Sequence, residues 1–231
     1  MIALSWSRIS DFRQCPAKFK FKYIDKATNF QLKDEQKSPA LVRGGNIHAQ
    51  LDNYVKAKKK NEIVTITLPE VLATTKLVDQ IMDQYQVEPE HQIAIDENFK
   101  VVSWYDKQAY FRVIYDLIGF GTDLFLGDFK TGKFADYNGS IKCMGQLHLS
   151  ALVGLSLWTD YELCTTAYIF VDHKRCIPWK HKRSDLPEMK ERLIAEHQLI
   201  NAEEEFAPKQ NQYCRWCEAT SVQCKNSKKK V

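Results

Sequence analysis

The stretch YFRVIYDLIGFGTDLFLGDFKTGK, residues 110–133, constrains the fold of this 231-residue chain more than any other. Two runs rich in aromatic and branched residues, 110–118 and 124–130, flank Gly119, Gly121, Thr122 and Asp123, which supply turn chemistry, so a β-hairpin is predicted. Each arm carries a carboxylate. Asp116 closes the first arm, and Asp128 lies on the second, two residues before Lys130. Period-2 alternation puts Asp128 and Lys130 on one face of their strand, and a buried strand face does not normally carry both charges. Two carboxylates aimed at one point make a hard-cation site suited to Mg²⁺ or Mn²⁺. A lysine beside them can orient an attacking water or meet a developing phosphate charge. An exposed Asp–Lys ion pair is the plainer alternative.

With 44% hydrophobic residues, a chain of this length can bury the core of one domain, and residues 1–231 are read as a single domain. No G-x-x-x-x-G-K-[ST] loop occurs, which argues against an ATPase or helicase motor. No apolar run approaches the roughly 18 residues of a membrane span, and the first residues do not read as a secretory leader. A soluble, cytoplasmic protein is expected. Residues 1–60 hold 13 Lys or Arg against 5 Asp or Glu, an excess of +8, whereas the other 171 residues hold 20 against 24. A positive first third suits contact with a polyanion such as DNA, and it equally suits a solvated lysine-rich surface.

Ser5 can cap a short helix with Ile9 and Phe12 on one side, and Pro16 suits the first turn of a second helix, leaving Cys15 at its N-cap. Residues 27–39 read as a polar loop. Helices are predicted over 40–59, with Ile47, Leu51 and Val55 as the apolar stripe and His48 beside it, and over 69–86. Ile93–Val102 reads as a strand leading to the hairpin, which makes Glu97 a secondary candidate for the carboxylate site. After a polar turn come a helix over 139–155 bearing Gln146, a buried strand over 165–171 and a helix over 184–205. The strands are expected to form a mostly antiparallel set of three with a further strand added.

The chain has seven cysteines, an odd number, which argues against a disulfide framework. Cys143, Cys164 and Cys176 read as small core residues. Cys214-Arg-Trp-Cys217 with Cys224 is different, since C-x-x-C followed by a third cysteine points to a metal or a redox pair. A fourth ligand is missing locally, and His197 is one candidate for zinc.

The phrase GDFKTGK with an aspartate in the preceding apolar arm resembles the D-x-K-T-G core of the PD-(D/E)XK nucleases, and of the RecB-type exonucleases in particular. His48 upstream, Gln146 downstream and the split cysteine set appear in the family's order. S-R-I-S-D-F-x-x-C-P-x-K-F resembles the N-terminal signature of the family's iron-sulfur members. The resemblance implies an α/β, restriction-endonuclease-like core, a mixed sheet flanked by helices. It assigns His48, Asp116, Asp128 and the Phe129 carbonyl to the cation, Lys130 to the water, and Gln146 to groups near the scissile phosphate. It makes Cys15 the fourth ligand with Cys214, Cys217 and Cys224, so that 1–26 and 206–224 form a cysteine region, with 225–231 a disordered tail. Four thiolates suit Zn²⁺ or an iron-sulfur cluster, and the resemblance favours [4Fe-4S]. The chain departs from the family in having Tyr115 ahead of the first aspartate and Ser150 where a tyrosine is usual.

The function implied is a Mg²⁺- or Mn²⁺-dependent DNA exonuclease of recombination, repair or replication-linked degradation, working with a helicase or recombination protein. A non-catalytic, cluster-stabilised nucleic-acid-binding subunit of a helicase-nuclease assembly is the alternative, against which the intact D-x-K speaks. A redox or zinc module is the third reading, and it would leave the order of carboxylates and His48 to coincidence.

Overall fold

The computed structural model describes residues 2–31, 38–132 and 141–227, with the backbone alone for 141–144. Parts of the predicted loop over 27–39 and of the tail over 225–231 lie outside these residues, as do the polar turn predicted after Lys133, the first two residues of the helix predicted over 139–155 and the Cys143 side chain. No helix among the described residues is long and apolar enough to cross a membrane.

The chain divides into two units, one of 1–3 with 39–193 and one of 4–38 with 194–231. In the second unit, the Ser5 hydroxyl caps α1 (Trp6–Gln14) by accepting from the Arg8 amide at 3.4 Å, and α1 buries Ile9 and Phe12. Cys15 then stands extended, and Pro16 opens α2 (Pro16–Phe19) at the position where a missing N–H costs nothing. The rings of Phe12 and Phe19 meet Phe206 from the other end of the chain, at 6.4 and 6.3 Å between centroids. Around them Asp11 gathers Lys18, Lys22 and the Tyr23 hydroxyl at 2.7, 2.9 and 2.8 Å.

The first unit is layered. Helix α3 (Pro39–Lys60) presents Ile47, Leu51 and Val55 at four-residue spacing, and α4 (Pro69–Met82) presents Val71, Val78 and Ile81. After these come β1 (Gln86–Glu88), β2 (His91–Ile95), β3 (Val101–Val102), β4 (Phe111–Tyr115), β5 (Leu117–Phe120) and β6 (Leu124–Lys130). The chain continues through α5 (Ile141–Leu157), β7 (Leu163–Phe170), β8 (Arg175–Lys182) and α6 (Leu186–Asn201), whose last residues belong to the second unit. Among the described residues, the strands form a five-stranded sheet in the order β1-β5-β6-β7-β8 and a three-stranded sheet in the order β3-β2-β4. The larger sheet is antiparallel except between β6 and β7. Its one face packs on α3 and α4 through Phe125, Phe129, Ala167 and Ile169. Its other face packs on α5, where Leu147 meets Tyr168 and Phe170. Strand β6 is therefore covered on both sides, which is why Leu124 to Gly127 read as a continuous apolar run.

The fold is an α/β arrangement with a mixed sheet flanked by helices. It corrects the predicted hairpin in two places. The first arm is not one strand: β4 belongs to the small sheet and β5 to the large one, and the chain changes sheets at Asp116. The turn is Gly121–Asp123, and Gly119 is a strand residue paired with Phe125. The strand predicted over 93–102 is a short hairpin, β2 and β3, bent back at 96–100. Strands β1 and β8 had no prediction. The three residues of β1 are too few to show a period. In β8, Pro178 and the basic residues Arg175, Lys180, His181 and Lys182 interrupt the apolar signal of an edge strand.

Glycine positions distinguish rigid from yielding contacts. A Cβ at Gly119 would stand 2.8 Å from Tyr85 Cβ and 3.1 Å from Phe125 Cβ, atoms fixed by the backbone. At Gly154 of α5 it would meet only the mobile tips of Leu126 and Leu124, at 2.7 and 3.0 Å. Gly119→Ala is therefore expected to destabilise the protein by about 1–3 kcal/mol. In Gly154→Ala the gain in helix propensity, roughly 1 kcal/mol, offsets the crowding. Urea unfolding of the two variants measures the contrast.

Candidate active site

The ladder between β5 and β6 pairs Leu117 with Gly127. Asp116 and Asp128 lie just past the end of that ladder, near enough for the Asp116 charge to act on Asp128. The break between β4 and β5 frees Asp116 from ladder duties. Its Oδ2 accepts the Phe129 amide at 2.6 Å, and its Oδ1 lies 3.0 Å from His48 Nδ1. His48 reaches this point from α3, held edge-on to Phe129 with 5.9 Å between ring centroids. On an extended strand a residue's N–H and C=O face the same edge, so the Phe129 carbonyl also faces the Asp116 side.

On the α5 face, Gln146 Nε2 donates to Asp128 Oδ1 at 2.7 Å, and Lys130 Nζ donates to Gln146 Oε1 at 3.1 Å. Lys130 Nζ also lies 2.5 Å from Asp128 Oδ2, a close ion pair between two largely buried side chains. The Tyr168 hydroxyl reaches Gln146 Oε1 at 3.2 Å. Side-chain exposures of 11% for Asp116, 18% for Asp128 and 17% for Lys130 show how little water shares the site.

This dryness sets the electrostatics. Burial raises the Asp128 carboxyl above the usual range; Lys130 opposes the rise and Asp116 adds to it. At His48, burial opposes protonation, but the hydrogen bond and charge of Asp116, with Asp128 behind it, raise its pKa above the ordinary value.

His48, Asp116, Asp128, Phe129, Lys130 and Gln146 are thus brought together. Glu97 is not. It stands on the exposed turn between β2 and β3, with its charge near Tyr110. Asp116 follows the other end of β4, a strand's length of about 15 Å away at roughly 3.4 Å per residue. Tyr168, which the sequence does not single out, belongs to the group. Inside an apolar run a tyrosine reads as core, and only the pairing of β7 with β6 places it beside Asp128. Next to His48, an open groove of about 760 Å³ runs along α3 past Gly44, Gly45 and Thr131.

Among the described residues, no three His, Cys, Asp or Glu side chains are already drawn into a metal cage. The donor set nevertheless suits a hard cation. Asp128 and Asp116 supply two carboxylates near enough for the charge of one to act on the other, and His48 stands beside Asp116.

In the second unit, Cys15, Cys214, Cys217 and Cys224 line one cavity of about 200 Å³. The Lys209 amide donates to Cys15 Sγ at 3.4 Å, and the Asn211 amide to Cys214 Sγ at 3.3 Å. Burial pushes the Cys217 thiol up, so a bound metal is what would deprotonate it. His197 is buried in α6 and does not line this cavity.

A mixed sheet between helices thus carries two carboxylates and a lysine at the end of its central strand. The model of the PD-(D/E)XK nuclease superfamily matches residues 3–224, and the chain belongs to that superfamily. Among solved structures, a protein of Eubacterium rectale named "Putative exonuclease" is 14% identical, with 93% of this chain and 86% of that one covered and a TM-score of 0.53. The protein SSO0001 is 17% identical over 96% of this chain and 85% of that one, with a TM-score of 0.49. No curated protein matches the chain.

Asp116 holds two donors at once. Asp116→Ala leaves the Phe129 amide and His48 without this acceptor, and a loss of about 1–3 kcal/mol in unfolding free energy is expected in metal-free protein. Urea titration in the presence of a chelator measures it.

Proposed function

We propose that this protein is a divalent-cation-dependent deoxyribonuclease of the RecB type, degrading DNA from its ends in recombination, repair or replication-linked turnover. The observation that carries this reading is the approach of Asp116 to Asp128 with Lys130 and Gln146 at hydrogen-bond distance beside them. The name of the Eubacterium rectale neighbour is in keeping with it. Asp116, Asp128, His48 and the Phe129 carbonyl would hold Mg²⁺ or Mn²⁺. Such an ion, when bound, polarises a phosphoryl oxygen and acidifies water. The chain's own residues supply the rest. Lys130 holds a positive charge where a water can be oriented and where phosphate charge develops. Gln146 fixes Lys130 against Asp128, and His48 fixes the Asp116 carboxylate. The positive excess over residues 1–60 supports DNA as the polyanion bound.

Incubation with end-labelled linear and closed circular DNA tests the reading. Linear DNA should be degraded with Mg²⁺ or Mn²⁺ and spared with chelator, and circles should survive. Asp128→Ala and Lys130→Ala should each lower the rate by about a hundredfold or more while the fold persists. Full activity in Asp128→Ala would overturn the site.

The four cysteines on one cavity, two of them accepting backbone amides, support a [4Fe-4S] cluster that joins the two ends of the chain. Its role is structural, since the cluster residues and the carboxylate site share no side chain. Protein purified without oxygen should be brown, absorb broadly near ~400 nm and contain iron. Cys15→Ala should lose the metal and melt at lower temperature. Stoichiometric zinc in the wild type would replace the cluster by a zinc knuckle, and unchanged metal in Cys15→Ala would place the fourth ligand elsewhere.

A further inference from the structure

We propose that Tyr168 is a positioning residue of the reaction centre, acting through Gln146 and Lys130. The proposal rests on the nuclease reading for the reaction by which it is assayed. Parallel pairing of β6 with β7 sets Tyr168 beside Asp128 and Phe170 beside Lys130, so the four side chains rise on one face of the sheet. Tyr168 is 1% exposed and sits among Phe170, Trp179 and Leu147. Its ring is edge-on to both aromatic neighbours, at 6.1 and 5.8 Å between centroids. A phenylalanine would fill the same space. A buried hydroxyl is a cost unless it has a partner, so its presence asks for a use.

The use is on the Gln146 amide. The Tyr168 hydroxyl donates to Oε1 at 3.2 Å, Lys130 Nζ donates to the same oxygen at 3.1 Å, and Nε2 donates to Asp128 Oδ1 at 2.7 Å. An amide turned over would direct its N–H groups at a hydroxyl and an ammonium and its oxygen at a carboxylate. Only one orientation satisfies all three neighbours. The ring has a second use. Lys130 Nζ lies 4.9 Å from its centroid, within the range of a cation–π contact, so the ring holds the ammonium over Asp128. Tyr168 thus sets two side chains that would meet the scissile group while lying beneath both.

Two substitutions separate the two uses. Tyr168→Phe keeps the ring and removes the hydroxyl, and Tyr168→Leu removes both. In steady-state cleavage of end-labelled linear DNA, kcat is expected to fall about tenfold in Tyr168→Phe and about a hundredfold in Tyr168→Leu, with KM within about twofold of wild type. The hydroxyl acts through Gln146, so in a Gln146→Ala background Tyr168→Phe should change kcat by less than about twofold. A general loosening of the core would instead multiply the two effects. Unchanged kcat in Tyr168→Phe, or its full tenfold penalty persisting without Gln146, overturns the proposal. If Tyr168→Leu fails to fold, Tyr168→Phe and the double variant decide alone. A wild type that cleaves no DNA would refute the nuclease reading, and crystal structures of wild type and Tyr168→Phe would then judge Tyr168 by itself. A Gln146 amide turned over or withdrawn from Asp128 supports the proposal, and an amide unmoved overturns it.

Discussion

Two carboxylates, Asp116 at the break between β4 and β5 and Asp128 on β6, come together among largely buried side chains, and the surrounding architecture answers that constraint. Like charges in a dry setting drive each other toward the neutral form, and an unsupported pair would protonate or separate. Here each carboxylate oxygen has a polar or charged partner. Asp116 takes the Phe129 amide and His48, and Asp128 takes Gln146 with Lys130 alongside. The remaining oxygen, Asp128 Oδ2, is paired with the Lys130 ammonium.

The donors come from three layers. His48 is carried by α3 on one face of the sheet, Gln146 by α5 on the other, and Phe129 and Lys130 by the central strand between them. Strand β6 can place charges at its end only because its first four residues are apolar and covered on both faces. The change of sheet at Asp116 matters equally, because a residue inside a continuous ladder would spend its backbone and its face on pairing. Beside this site, Tyr168 is a core residue with a polar end. Its ring belongs to the aromatic cluster under α5, and its hydroxyl belongs to the Gln146 amide.

The second unit solves a separate problem. Its described segments come from opposite ends of the chain, and closing so long a loop costs entropy that local contacts must offset. Phe206 packed on Phe12 and Phe19 does part of this. The cavity shared by four cysteines lies among the same segments, so a metal there would add cross-links where the chain most needs them.

Much of this is legible in the residues. The Ser5 cap, Pro16 at the start of a helix, the stripe of Ile47, Leu51 and Val55, and the apolar arms around Gly121–Asp123 follow from local sterics and periodicity, which act over a few residues. The placement of Asp128 and Lys130 on one face is equally local, since it needs only the period of a strand. Other features are decided by partners far away in the chain. A strand's period is the same in either sheet, so nothing local in 110–120 says that the arm breaks at Asp116. Glu97 has the right residue type on the right strand run, yet a tight turn carries it to the far end of β4. Tyr168 looks like any buried tyrosine until a parallel register, set by the crossover through α5, lays it beside Asp128. The sequence by itself determined which chemically competent residues the chain carries and roughly where its longer helices and its central strand lie. Only the tertiary structure decided which side chains share a point in space, because register and layer order depend on burial summed over the whole sheet and are not encoded in any one segment.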